Sequence, residues 1–136
     1  MKPDDNPRRF LLTDVVRWNE YRQQHPEWQP DLSGMDLRGA ALPAVDLHGL
    51  ELHDVQLDGA NLYTARFNAT NFRDASLVGT ELSHADLSAA CLCKANLRGA
   101  KLSETNLNGA DLTGALVEDQ VLRRARLEGA ILPATD

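Results

Sequence analysis

Aromatic residues make up only 5% of this 136-residue chain, so a core large enough for one domain has to be built from aliphatic side chains. Cysteine is scarcer still: Cys91 and Cys93 are the only two. Standing two apart, they are read as unable to bridge each other readily, which excludes a disulfide framework and agrees with a reducing cytoplasm. No run approaches eighteen consecutive apolar residues, and the opening MKPDDNPRRF holds no uninterrupted apolar segment. Neither a membrane span nor a secretory signal is therefore expected. An excess of positive charge is missing too. The formal net charge is -6, which argues against direct nucleic-acid binding, because phosphate contacts need clustered Lys and Arg.

What the chain has is a leucine at every fifth position. Counting in fives from Leu32 to Leu132, through Leu87, Leu92, Leu97 and Leu102, every position is apolar, with Phe67, Phe72 and Val117 as the departures from Leu. Two residues earlier in each unit the chain is mostly Ala, with Pro30 and Gln120 as misfits. A period of five fits neither a helix nor an alternating strand, so each unit must break alternation once. The order becomes in, out, in, out, out, and the two adjacent outward residues turn a corner. Glycines fall on every second corner, as at Gly39, Gly49, Gly59, Gly79, Gly99, Gly109 and Gly129. This spacing predicts positive φ at those corners, while Asp54, Thr64, Asp74, His84, Lys94 and Glu104 use a different turn geometry. Two alternating corner types imply an even number of sides per coil.

Units such as ANLRG, TNLNG and ADLTG resemble the repeats of the pentapeptide repeat family, and the resemblance covers residues 30 to 134. It implies a right-handed quadrilateral β-helix with four repeats per coil, hence an all-β solenoid of about five coils, roughly 25 Å long at the spacing of stacked strands. Its interior, filled by Leu-sized and Ala-sized side chains, leaves no room for a ligand. Residues 30–136 form this β-helix and residues 1–29 a helical cap. Asn6 before Pro7 reads as an N-cap with Pro at the first helical position, and His25-Pro26 as the stop. Leu11, Val15 and Trp18 share one helical face, and Trp28 is placed over the first coil, so these four carry the capping. The stretch WNEYRQQHPEWQPDLSG also resembles the helical leader that precedes the repeats in the family.

Chemistry-bearing residues are sparse. Asp31, Asp36, Glu51, Asp54, Asp58 and Asp74 gather on early corners and columns as a candidate acidic binding face, interrupted by Arg38 and Arg73. Cys91 and Cys93 both point outward without the histidine company of a zinc site. His25, His48, His53 and His84 are scattered. No catalytic, cofactor-binding or metal-binding residues are assigned and no cofactor is expected. The expected role is a non-catalytic protein–protein interaction module for an unidentified partner. The alternative, implied by the resemblance, is a DNA-mimicking protein that binds DNA gyrase and confers quinolone resistance. At the C-terminal end Leu116, Val121 and Ile131 replace the polar residue before the central one, and LPATD leaves the Leu132 layer open. A homodimer through the C-terminal coils is expected, with Leu116, Val121, Ile131 and Leu132 at the contact. A bulge at residues 115 to 121 is the competing reading of the same irregularity.

Overall fold

The computed structural model describes residues 5–134. Parallel bridges join residues twenty apart from Asp36↔Gln56 to Asp111↔Ile131, so four five-residue units complete each coil. Each side contributes one bridging residue before the chain turns, which is why the bridges stay isolated and never lengthen into strands of several residues.

The unit is explained by where its five N–H groups go. The inward Leu and the last corner residue both donate to the next coil, as in Leu37 N–H to Gln56 O at 2.8 Å and Gly39 N–H to Asp58 O at 2.8 Å. The residue before the Leu donates to the previous coil, as in Gln56 N–H to Met35 O at 3.0 Å. The Ala-type residue closes the corner with an i to i+3 bond, as in Ala40 N–H to Leu37 O at 3.1 Å. The first corner N–H faces outward, and where an Asp or Asn stands two residues earlier its side chain folds over to accept it. Arg38 N–H to Asp36 Oδ1, Tyr63 N–H to Asn61 Oδ1, Arg98 N–H to Asn96 Oδ1 and Thr113 N–H to Asp111 Oδ1 lie between 3.0 and 3.2 Å. Where Ala41 and Ile131 offer no acceptor, Pro43 and Pro133 supply no donor.

The alternation of corner types expected from the glycines is overturned. Positive φ occurs at Asp54, Thr64, Asp74, His84, Lys94 and Glu104, between 57° and 62°, as well as at the glycines. All these corners therefore share the positive-φ third residue of a type II turn. No contact separates the two sets: a Cβ added at Gly39, Gly49, Gly59 or Gly79 would meet nothing within 4 Å.

Inside, the Leu column is closed. Leu87, Leu92, Leu97 and Leu102 are at most 1% exposed. Phe67 and Phe72 meet edge to face at 5.0 Å. Thr70, Thr80 and Thr105 occupy Ala-type positions because each hydroxyl donates to a buried carbonyl, of Leu47, Leu77 and Leu82 respectively.

Two helices precede the coils, α1 (Pro7–Thr13) and α2 (Val15–Gln24). A single helix was expected. Asp14, at φ -158°, ends α1 and caps α2 by accepting Arg17 N–H, and this extended residue breaks the rod. Asn6 caps α1 through Arg9 N–H as expected. Leu11 and Trp18 are fully buried, while Val15 and Trp28 are half-buried against the same core. The scarce aromatics concentrate here, with Trp18 and Trp28 at 4.9 Å and Tyr21 and Trp28 at 5.0 Å.

One coil side departs from the repeat. The short helix α3 (Asp119–Leu122) replaces the expected extended side. Gln120 is thereby turned to solvent, and Leu122 is buried in the core with Val121 packed partly against it. Regular register returns with the Asn106↔Arg126 bridge. The bulge reading of residues 115 to 121 describes this segment better than an unbroken register does.

Candidate functional site

The most organised polar cluster lies where the cap meets the first coil, and the sequence reading did not single it out. Trp18 Nε1–H donates to Asp46 O at 3.0 Å and Arg22 Nη1 donates to the same carbonyl at 3.1 Å. Asp46 N–H donates to Asn19 Oδ1 at 2.8 Å, Asn19 Nδ2 donates to Ala44 O, and Arg8 Nε donates to Asp36 O. Asp36 and Asp46 sit before an inward Leu, at positions that elsewhere pair with the preceding coil. The cap side chains thus substitute for a missing coil and protect an open edge.

The Asp46 carboxylate also meets Arg22 at 3.4 Å, Arg66 at 3.5 Å and His48 Nδ1. Burial works against its ionisation, but the hydrogen bonds from His48 and the charges of His48 and Arg22 prevail and hold it below the ordinary carboxylate range. Burial pulls Arg22 below its usual value against the attraction of Asp46. A recess of about 330 Å³ opens beside this cluster, lined by Asn19, Arg22, Asp46, His48 and Arg66 among others. The signal that could have found it is an Asn and an Arg three residues apart on the helix face that carries Trp18.

The acidic residues come together around early corners, but most are engaged locally. Asp36 takes two bonds from the Arg38 guanidinium at 2.9 Å, and these with the Arg38 N–H push its carboxyl down to about 2. Glu51 accepts from Asn71 Nδ2 at 2.8 Å, Asp58 from Ser76 Oγ and Val78 N–H, and Asp31 from Ser33 N–H. Asp74 pairs with Arg73 at 3.8 Å, and Asp54 stands exposed on its corner. Arg38 and Arg73 thus neutralise Asp36 and Asp74 within the face.

Cys91 and Cys93 are free thiols with their Sγ atoms 3.2 Å apart, and the expectation that both point outward fails for Cys93. Cys91 is partly exposed and Cys93 is only 9% exposed. Among the described residues no three His, Cys, Asp or Glu side chains gather into a metal-holding group. No helix among them is long and apolar enough to cross a membrane.

At the other end, Leu116, Ile131 and Leu132 are 42%, 57% and 50% exposed, and Val121 is half-buried. The N–H groups of Leu127 and Gly129 have no partner among the described residues. Because α3 leaves the repeat path, the N–H groups of Gly99 and Leu102 lose theirs as well. A recess of about 440 Å³ lies there, between Ala100–Ser103 and Gln120, Val121 and Arg124.

A family model described as pentapeptide repeats, in 8 copies, matches residues 31–62, 60–99 and 80–119. No curated protein matches the chain. Among solved structures, the pentapeptide repeat protein Rfr23 from the cyanobacterium Cyanothece 51142 is 27% identical, over 89% of this chain and 99% of that one, with a TM-score of 0.46. A pentapeptide repeat protein of the Arabidopsis thaliana thylakoid lumen is 32% identical over 74% of this chain and 59% of its own, with a TM-score of 0.35. QnrB1, a plasmid-mediated fluoroquinolone resistance protein, is 20% identical over 76% of this chain and 58% of its own, with a TM-score of 0.44.

Proposed function

The chain belongs to the pentapeptide repeat family, and we propose that it is a non-catalytic protein-binding module, wound with the family's right-handed sense, whose first partner is a second copy of itself. The observation that carries this reading is the contrast between the two ends of the coil stack. At the first coil, cap side chains cover the edge and satisfy its polar groups. The last described coil presents Leu116, Ile131 and Leu132 on its surface beside the N–H groups of Leu127 and Gly129, which have no partner among the described residues. Exposed apolar side chains next to unpaired edge donors favour association, and a twofold pairing satisfies both copies together. The interior contributes nothing to binding, since its columns are filled by Leu and Ala.

Hydrogen exchange at two protein concentrations tests the proposal. The amides of Leu127 and Gly129 gain protection as concentration rises, while those of Leu47 and Leu57 stay unchanged. Concentration-independent exchange across the last coil would count against it. The topoisomerase reading rests on the acidic face, in which Asp36 and Asp74 are paired with Arg38 and Arg73. A DNA gyrase supercoiling assay with added protein separates that reading, which requires inhibition or quinolone protection.

A further inference from the structure

The unit geometry brings together the side chains on either side of an inward Leu. Arg38 reaches Asp36, Ser88 Oγ reaches Asp86 Oδ1 at 2.6 Å, and Thr113 Oγ1 reaches Asp111 Oδ1 at 2.6 Å. In the unit centred on Leu92 both flanking residues are thiols, and the same geometry sets their sulfurs 3.2 Å apart. We propose that Cys91 and Cys93 are a reversible thiol/disulfide couple that exchanges with small-molecule disulfides.

The two thiols differ in access, which orders the reaction. Cys91 is partly open to solvent, whereas Cys93 is covered and its S–H points toward Asp111 O at 4.0 Å. Arg73, paired with Asp74, stands one coil away in the column of Cys93, and Asp111 bridges Cys91 from the next coil, so a disulfide such as glutathione disulfide meets both signs of charge at the exposed thiol. The Cys91 thiolate attacks one sulfur of that disulfide, its S–S bond breaks, and one glutathione leaves as a thiolate. Cys93 then gives its proton to a solvent base and attacks the Cys91 sulfur, and the second glutathione leaves as a thiolate. Two protein thiols have lost two electrons, and one glutathione disulfide has become two glutathione thiols. Burial, the hydrogen bond with Cys91 and the nearby Asp111 carboxylate push the Cys93 thiol up to about 12. In the mixed disulfide the contribution of Cys91 is gone, but burial and Asp111 still hold the Cys93 thiol up, so the closing step depends on base.

The test incubates the folded protein with glutathione disulfide, quenches with acid and a maleimide, and reads intact mass. The expected product is lighter by two hydrogens, takes up no maleimide, and returns to the dithiol with dithiothreitol. Its formation from the mixed disulfide accelerates steadily between pH 7 and 10. Cys93→Ser holds one glutathione on Cys91, and Cys91→Ser reacts at least about tenfold more slowly because its remaining thiol is covered. Both variants keep the far-ultraviolet circular dichroism of the parent. A parent protein that accumulates only a stable glutathione adduct, only chains cross-linked in pairs, or no oxidised form at all overturns the couple. Equal capture rates in the two variants overturn the order of attack.

Discussion

Where an Asp or Asn stands before an inward Leu, it serves the backbone. Its side chain accepts the first corner N–H, so the polar preference at that position follows from a donor that no backbone carbonyl of a neighbouring coil takes. Asn61→Ala should cost about 1 kcal/mol by leaving the Tyr63 N–H without its acceptor. Adding Tyr63→Pro should recover most of that loss, because Pro has no N–H and suits the second position of a type II turn, as Pro43 does after Ala41. Thermal melts of the single and double variants check this, and additive losses would contradict it. The corner φ gives a second expectation. Thr64 is β-branched at φ 59°, so Thr64→Asn should stabilise by about 0.5–1 kcal/mol. Gly59→Val should destabilise by about 1 kcal/mol or more through φ alone, since the added Cβ meets nothing. The inward Leu register was legible because side-chain size reports burial directly. The shared corner geometry was not, because Asp, His, Lys and Glu accept positive φ here under the pull of two inter-coil hydrogen bonds per corner, and glycine frequency hides that.

A coil side, a cap helix and the α3 excursion are each decided by hydrogen bonds that cross between elements. The cap was legible from Asn6-Pro7 and from the aromatic face around Trp18. Its break at Asp14 was not, although Thr13-Asp14 carries an N-cap signal, because Leu11, Val15 and Trp18 keep one helical period across it. Nor was the docking cluster, since Asn19, Arg22 and Asp46 meet only in three dimensions. Asp46→Asn should destabilise the protein by about 2 kcal/mol, less than a fully buried pair would give because solvent still reaches the carboxylate. The sign of the pH effect follows. Asp46 titrates below its ordinary value when folded, so its contribution is complete above about pH 4 and is lost as pH falls through the lower folded value. Circular dichroism melts at pH 5 and pH 2.5 should show a smaller drop in Asp46→Asn than in the parent. An equal drop in both would remove Asp46 from the acid response. At α3, the apolar Leu116 and Val121 and the misplaced Gln120 signalled an irregularity. Helix could not be told from bulge, because four residues are too few to show a period.

Across the described residues the coils are filled by Leu and Ala, and cap side chains cover the edge of the first coil. The regular columns, the solid interior and four sides per coil were all legible as consequences of a five-residue period and the resemblance it carries. The number of sides follows from the twenty-residue bridges, not from the alternating corners first expected. The exposed residues Leu116 and Ile131 were legible as a break in the polar pattern, and the N–H groups of Gly99 and Leu102, without a partner among the described residues, were not, because they depend on where α3 leaves the coil. Multi-angle light scattering on the purified chain, alone and as the double variant Ile131→Asp with Leu132→Asp, tests the claim of self-association most directly. The parent is predicted to elute at twice its 15.0 kDa chain mass at high micromolar concentration and the variant at the chain mass. A parent at 15.0 kDa under those conditions, or a variant that remains a dimer, would contradict it.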